Sequence, residues 1–110
     1  MNKVILLGNV GGDPRMRMVD STKVAEFSLA TTEKRNTRNS DGSLGELEVF
    51  TEWHRIVMWG RAAEYAERYI RKGTRLLVEG KLRSREWQDH NALKHNVTEI
   101  YVDSFELLPK

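Results

Sequence analysis

Hydrophobic and polar residues alternate along most of the chain, which predicts a protein made mainly of β-strands. Side chains two residues apart share one face of a strand, so period-two alternation marks a strand with one buried face. Strands are predicted in this way over residues 24–32, 47–59, 74–88 and 97–108. Glycines separate the apolar run Val4–Leu7 from the alternating residues 15–19, so we expect residues 3–19 to form one strongly bent strand.

After Gly60 the spacing changes to that of a helix, which separates the third strand from the fourth. One apolar stripe would collect Ala62, Ala63, Ala66, Tyr69 and Ile70. Lys72 and Gly73 then supply the basic residue and the glycine that typically end a helix. The order of three strands, one helix and two strands predicts an all-β fold with one short helix, and a length of 110 residues predicts a single domain.

Residues 33–46 break the alternation, because Leu44 is their only large apolar residue. We expect a long mobile loop here, and long loops within small domains are often functional. Lys34, Arg35 and Arg38 lie in this segment and would form a cationic arm that contacts a nucleic-acid backbone. The alternative is that they only keep the loop soluble.

Composition narrows the class of protein only modestly. The chain lacks cysteine, which excludes a disulfide framework and thiolate metal ligands. Its net charge of +2 is weak evidence for a polyanionic partner, so the positions of the charges matter more. Since no apolar segment approaches the length of a signal sequence or a membrane span, we expect a soluble cytoplasmic protein without a membrane partner.

The fourth predicted strand carries the strongest functional signal. Its even positions, from Leu76 to Ser84, are mostly small and apolar and suit the interior of a barrel. Its odd positions lead from three successive cations to an indole, namely Lys81, Arg83, Arg85 and Trp87. Cations neutralise phosphates and an indole stacks on any base, so this face predicts nucleic-acid binding. The alternative is an ordinary solvated strand on which Trp87 packs against a neighbour.

The third predicted strand repeats this combination, because Trp53, Arg55 and Trp59 share its odd face. All three tryptophans of the chain therefore lie on basic strand faces. A single tryptophan is more often part of a core. Three of them beside Arg55 and the cations of the fourth strand favour a surface for base stacking.

The histidines give a weaker signal. His54 lies on the opposite face of the third strand, with Ile56 and Met58, where it is either a core residue with one hydrogen bond or a subunit contact. His90 and His95 are expected to be exposed residues in or beside a hairpin loop. The sequence contains no nucleophile motif, carboxylate pair or metal-ligand spacing that we recognise, so we expect neither an enzyme nor a cofactor.

Several segments make the chain resemble the bacterial single-stranded DNA-binding proteins over residues 2–108. They are Asn2–Leu6 with Gly8–Asn9 and Asp13–Pro14, then Thr51–Arg55, Tyr69–Gly73 and Glu79–Leu82. The resemblance implies a five-stranded OB-fold barrel, with the helix between strands 3 and 4, assembled as a homotetramer with single-stranded DNA wrapped over it. It also implies base stacking at Trp53, Trp59 and Trp87, and a position near a subunit interface for His54.

The chain departs from this family pattern in two ways. Some members carry a further stacking tryptophan near the positions of Lys34 and Arg35, where this chain has cations that can lie over a base or contact a phosphate. Members usually continue into a flexible tail of acidic residues ending in phenylalanine, which recruits replication and repair proteins. The sequence ends at Pro109–Lys110, so we expect one OB-fold domain over residues 1–110, and recruitment only if a natural tail exists.

Together these features predict passive, sequence-independent binding of single-stranded DNA in replication, recombination and repair, in a bacterial cytoplasm and associated with the nucleoid. The alternative is a related OB-fold primosome component that acts mainly through protein contacts. Such a protein would not need three tryptophans on cationic faces. A small nuclease or nucleotide hydrolase is a third class, and the lack of a metal-ligand cluster in the sequence argues against it.

Overall fold

The computed structural model, which describes residues 1–109, contains six strands and one helix. In chain order they are β1 (Val4–Val10), β2 (Arg15–Val19), β3 (Thr22–Arg38), β4 (Leu44–Trp59), α1 (Arg61–Tyr69), β5 (Arg75–Gln88) and β6 (Lys94–Leu108). The described part of the chain includes no helix long and apolar enough to cross a membrane.

The strands form one sheet in the order β1-β5-β6-β4-β3-β2, and an additional pairing of β1 with β3 closes it into a barrel. Neighbouring strands are antiparallel except for a short parallel contact between β4 and β6, at Ile56 and Ile100. β1 and β2 correspond to the two halves of the predicted bent strand, and both pair with β3. The prediction of a five-stranded OB-fold barrel with one short helix is therefore confirmed.

The bend between β1 and β2 spans residues 11–14, where regular pairing stops. The Gly11 N–H still donates a hydrogen bond to the Ser28 carbonyl (2.9 Å), so the chain stays attached to β3 as it turns. Just before the bend, Gly8 lies so close to β3 that a Cβ atom there would collide with the Ala30 carbonyl oxygen. The absence of a side chain at Gly8 thus allows the barrel to close.

The expectation of a mobile loop over residues 33–46 is wrong. β3 and β4 continue there as a hairpin that pairs Lys34 with Val49 and extends to Arg38 and Leu44. The Asn39 N–H closes the turn by donating a hydrogen bond to the Ser43 carbonyl (2.9 Å). Most side chains of this hairpin are exposed, on both faces. Since no face is buried, the alternation that identifies strands in a sequence is missing here.

The barrel interior is filled by the inner faces of the strands, with the helix closing one end. Its largest fully buried apolar side chains are Leu29, Ile56, Met58, Ile70 and Leu76. Helix α1 contributes Ala63 and Ala66 to the same core.

The helix ends earlier than its sequence signals suggest. It stops at Tyr69, and this predicted stripe residue is exposed. Gly73 instead adopts a φ of 89° in the turn that follows, where its N–H donates to the Val10 carbonyl (2.7 Å). That turn leads the chain into β5, and the glycine is needed there because a positive φ is unfavourable for other residues.

Candidate nucleic-acid interface

The outer surface of the barrel carries three adjoining grooves, and Arg55 lines all of them. Trp53 lines the first groove, Trp87 the second and Trp59 the third. We call the surface that these grooves form the aromatic–arginine face, and define it by Arg15, Arg17, Trp53, Arg55, Trp59, Arg85, Trp87 and Tyr101. Strands β2, β4, β5 and β6 contribute these residues.

The three indoles are unusually accessible for tryptophan. Their exposed fractions are 61% for Trp53, 38% for Trp59 and 45% for Trp87. The Trp53 ring lies against the backbone of Gly11, where a Cβ atom would meet it. Trp59 lies beside Tyr101, with ring centroids 6.2 Å apart. Large flat surfaces that are held by neighbours yet open to solvent are suited to stacking on flat ligands.

Two carboxylates beneath this face, Glu26 and Glu99, hold three of its four guanidinium groups. Arg55 donates from Nε to Glu99 Oε2 (2.8 Å) and from Nη2 to Glu26 Oε2 (3.0 Å). Arg17 donates from Nε to Glu26 Oε1 (2.7 Å), and Arg85 donates from Nε to Glu99 Oε1 (2.9 Å). Burial opposes ionisation of Glu99, but hydrogen bonds from Arg85 and Arg55 outweigh it and hold its pKa below the usual value. The bond to Glu99 likewise raises the pKa of Arg85.

The remaining predicted cations of β5 lie at the margin of the aromatic–arginine face. The Arg83 guanidinium is 5.4 Å from the centre of the Tyr101 ring, on the side of the barrel that carries Trp59. Lys81 pairs with Tyr101 across the sheet and is half-buried. Both therefore extend the positive surface beyond the grooves themselves.

The β3–β4 hairpin places two cations that are adjacent in sequence on opposite faces. Lys34 pairs with Val49 and so shares the side of β3–β4 that carries Trp53. Arg35 faces the other way, with its guanidinium 4.4 Å from the centre of the Phe50 ring. Arg38 lies at the hairpin tip and donates to the Gly42 carbonyl (3.0 Å). The predicted cationic arm is thus a pair of hydrogen-bonded strands with distinct faces.

His54 lies where the inner face of β4 leaves the barrel core. Ile56 and Met58 beyond it are buried, whereas Phe50 on the other side is exposed. The His54 Nε2 atom is 2.8 Å from the Thr31 hydroxyl, which satisfies one ring nitrogen. This hydrogen bond fits the core interpretation, and a subunit contact at His54 stays a prediction.

His95 is more organised than the sequence indicates. It is exposed, as expected, but its ring stacks on Trp87 with centroids 4.6 Å apart and planes 24° apart. Its Nε2 atom lies 2.7 Å from Asp89 Oδ2, and this hydrogen bond holds the pKa of Asp89 below the usual value. One face of the Trp87 ring is therefore covered from within the hairpin of β5 and β6, and the opposite face is the one available to a ligand.

Several residues of the interface were not predicted from the sequence. Arg15 and Arg17 belong to it because alternate residues of β2 point to the same side as Arg55. The alternation over 15–19 contains this signal. Glu26 and Glu99 have no comparable signal, since a carboxylate in a strand normally indicates a solvated face. Within residues 1–109 there is also no group of three or more histidine and carboxylate side chains arranged to hold a metal ion.

Comparison with known proteins agrees with this geometry. The model of the single-strand binding protein family matches residues 1–108. A single-stranded DNA-binding protein of Bacteroides thetaiotaomicron is 44% identical over 109 residues, which are 98% of this chain and 66% of that protein, so the chain spans slightly less than two thirds of its relative.

Among solved structures, the SSB of Plasmodium falciparum in complex with single-stranded DNA matches with a TM-score of 0.87 and 36% identity. The match covers 99% of this chain and 96% of that one. The family model, the curated relative and the solved structure all extend over nearly the whole chain. The chain belongs to the single-strand binding protein family.

Proposed function

We propose that this protein binds single-stranded DNA without sequence preference, by stacking bases on Trp53, Trp59 and Trp87 while nearby cations contact the phosphates. One observation carries the proposal: three exposed indoles lie on grooves that share Arg55. The proposed phosphate contacts come mainly from Arg55, Lys81, Arg83, Arg85, Lys34 and Arg38. Arg35, the remaining predicted cation, lies over Phe50 on the other side of the β3–β4 hairpin, so we expect it to contribute less. The names of the similar proteins support the same ligand.

The chemistry of such a surface explains why it would accept any base sequence and why it would prefer single strands to duplexes. Every base has a π-face, so indoles accept any sequence, and phosphates are the same at each nucleotide. A duplex hides the base faces within its stack, and only the phosphate contacts remain available to it. Membership in a family of binding proteins also agrees with the expectation that the chain is not an enzyme.

This activity would protect and organise single strands in replication, recombination and repair, in the cytoplasm beside the nucleoid. Binding should be tested with fluorescently labelled oligo-dT, a mixed-sequence strand and a duplex of equal length. We expect similar dissociation constants for the two single strands and much weaker binding of the duplex. Equal binding of strand and duplex would favour the alternative, a primosome component that works through protein contacts.

The open edge of β1 supports assembly into a homo-oligomer, which we propose is a homotetramer. β1 pairs with β5 along its length, but its pairing with β3 covers only Asn9 and Val10 of the described chain. The edge ahead of them carries Ile5 and Leu7, which are 62% and 43% exposed. A strand edge with exposed apolar side chains is a template for pairing with another chain. His54 is close to this region, because its partner Leu29 pairs with Val10.

Replacing Ile5 with glutamate is expected to reduce the assembly to a smaller species, because a charge at a buried contact lacks a partner. Sedimentation equilibrium measures the mass directly, and we expect four chain masses for the unmodified protein. Met18→Glu is the matched control, since Met18 is equally exposed and lies on β2. Unchanged mass in I5E, or equal dissociation in both variants, would contradict assembly through the β1 edge.

Lys34→Ala is expected to weaken oligo-dT binding about two- to fivefold and to lower the salt-dependence slope by about 0.7, as for one lost phosphate contact on a single strand. Arg35→Ala removes the same charge from the opposite side of the hairpin, where Arg35 lies on Phe50. We expect a smaller change in this control. Titrations at several salt concentrations compare the two, and equal slopes would count against a contact on the Trp53 side alone.

A further inference from the structure

Glu26 and Glu99 are buried directly beneath the surface proposed to bind a polyanion. Their side chains are only 9% and 2% exposed. A carboxylate close to a phosphate-binding surface repels the ligand, and burying it costs free energy unless it is paired. A role in charge attraction therefore does not account for these two residues.

The two carboxylates link three guanidinium groups into one chain of hydrogen bonds. Its order is Arg17, Glu26, Arg55, Glu99 and Arg85, with donor–acceptor distances of 2.7 to 3.0 Å. These bonds engage one N–H of Arg17, one of Arg85 and two of Arg55, and each guanidinium carries five. The arginine side chains are 42–43% exposed, so they present their outer parts to solvent while being held from below.

We propose that Glu26 and Glu99 are positioning residues that fix Arg17, Arg55 and Arg85 in the arrangement that receives single-stranded DNA. This inference rests on the proposed function. A free arginine side chain loses conformational freedom when a ligand immobilises it, and that loss weakens binding. Hydrogen bonds to the buried carboxylates impose the loss during folding. The carboxylates cancel two of the three positive charges, and the fixed geometry more than compensates for this reduction in charge.

Positioning and simple charge attraction predict opposite changes in the affinity for oligo-dT when Glu99 is replaced with glutamine. Glu99→Gln keeps the shape of the side chain and removes its negative charge. If charge alone decided affinity, the variant would bind oligo-dT more tightly. We expect it instead to bind about tenfold more weakly, since Arg55 and Arg85 lose a charge-assisted acceptor and their fixed orientation. The salt-dependence slope should fall by about 0.7 to 1.4, as for one or two lost phosphate contacts.

Glu86→Gln is the matched control. Glu86 lies on β5 between Arg85 and Trp87, is exposed, and forms an ion pair with Lys94 (3.5 Å). This substitution removes the same charge from the same part of the chain without touching the buried network. We expect its affinity for oligo-dT to be unchanged or slightly higher.

A second comparison separates positioning from a general effect on folding. In an Arg55→Ala, Arg85→Ala background, adding Glu99→Gln should change the affinity less than twofold, because the groups through which Glu99 acts are gone. Thermal unfolding of each variant verifies that it is folded. If E99Q does not fold, the same comparison is made with Glu26→Gln, because Glu26 acts through Arg17 and Arg55.

Tighter binding by the folded glutamine variants, with a slope equal to or steeper than that of the unmodified protein, would overturn the positioning role. A full tenfold loss that persists in the double-alanine background would overturn it as well. Failure of the unmodified protein to bind oligo-dT would instead refute the proposed function, so the two failures are distinguishable.

Discussion

Replacing Trp53 with alanine is expected to weaken oligo-dT binding by about 5- to 150-fold, the range that corresponds to the roughly 1–3 kcal/mol per stacked base known for single-strand-binding proteins as a class. Trp53 is the most exposed of the three indoles, and its ring rests on Gly11 at one end of the aromatic–arginine face. Because so much of it is solvent-accessible, its removal should change the free energy of unfolding little. Fluorescence anisotropy of labelled oligonucleotides measures the loss, which should be similar for dT, dC and mixed sequences.

Phe50→Ala is the matched control for this prediction. Phe50 is an exposed aromatic residue on the same strand, but it faces the other side of the hairpin, beneath Arg35. Its removal should leave the affinity within twofold of the unmodified protein. Equal losses in both variants, or a loss with W53A for one base composition only, would contradict sequence-independent stacking on Trp53.

Replacing Gly8 with alanine is expected to lower the free energy of unfolding by about 2–3 kcal/mol, as overpacking of a tight site does. The new Cβ would collide with the Ala30 carbonyl oxygen and press on the Leu29 side chain. Backbone atoms cannot rotate away as a side chain can, so β1 and β3 must separate where they close the barrel. For a domain of this size the melting temperature should fall by about 10–20 °C.

Gly12→Ala provides the comparison for Gly8. A Cβ atom at Gly12 would meet no atom within 4 Å, so only the loss of glycine flexibility in the unfolded chain changes. We expect a melting temperature equal to or slightly above that of the unmodified protein. If G8A melted no lower than G12A, the barrel would not depend on the close approach of β1 to β3.

The fold was largely predictable because apolar and polar residues alternate where the strands surround the barrel core. Alternation over residues 24–32 and 47–59 located β3 and β4, and the loss of alternation after Gly60 located the helix. It could not reveal residues 33–38 of β3 and 44–46 of β4, which are mostly exposed on both faces. The end of the helix was misjudged because Lys72 and Gly73 resemble a helix terminus, whereas Gly73 belongs to the turn that leads into β5. Tyr69 also continues the apolar spacing, yet it packs against Tyr65 on the surface.

The candidate site was predictable to the extent that it depends on single strands. Period two alone put Trp53, Arg55 and Trp59 on one side of β4, and the structure joins them to Arg85 and Trp87 of β5. Contacts between residues on different strands could not be predicted, because they depend on the strand register, which a sequence does not supply.

Three features of the site depend on that register. It pairs Lys34 with Val49, on the side of β4 that carries Trp53, and it stacks His95 on Trp87. It also brings Glu99 under both Arg55 and Arg85. Each of these contacts joins residues on different strands or depends on which strand face meets which neighbour, so local patterning could not have revealed them.

The most direct test of the central claim is a titration of intrinsic tryptophan fluorescence with oligo-dT and with duplex DNA, each at low and high salt. The chain has only three tryptophans, all on the aromatic–arginine face, so their emission reports on the proposed stacking itself. We expect strong quenching by oligo-dT that persists in part at high salt, and little response to the duplex. Binding of both without quenching, abolished by salt, would mean that the protein offers only a basic surface, and would contradict the account.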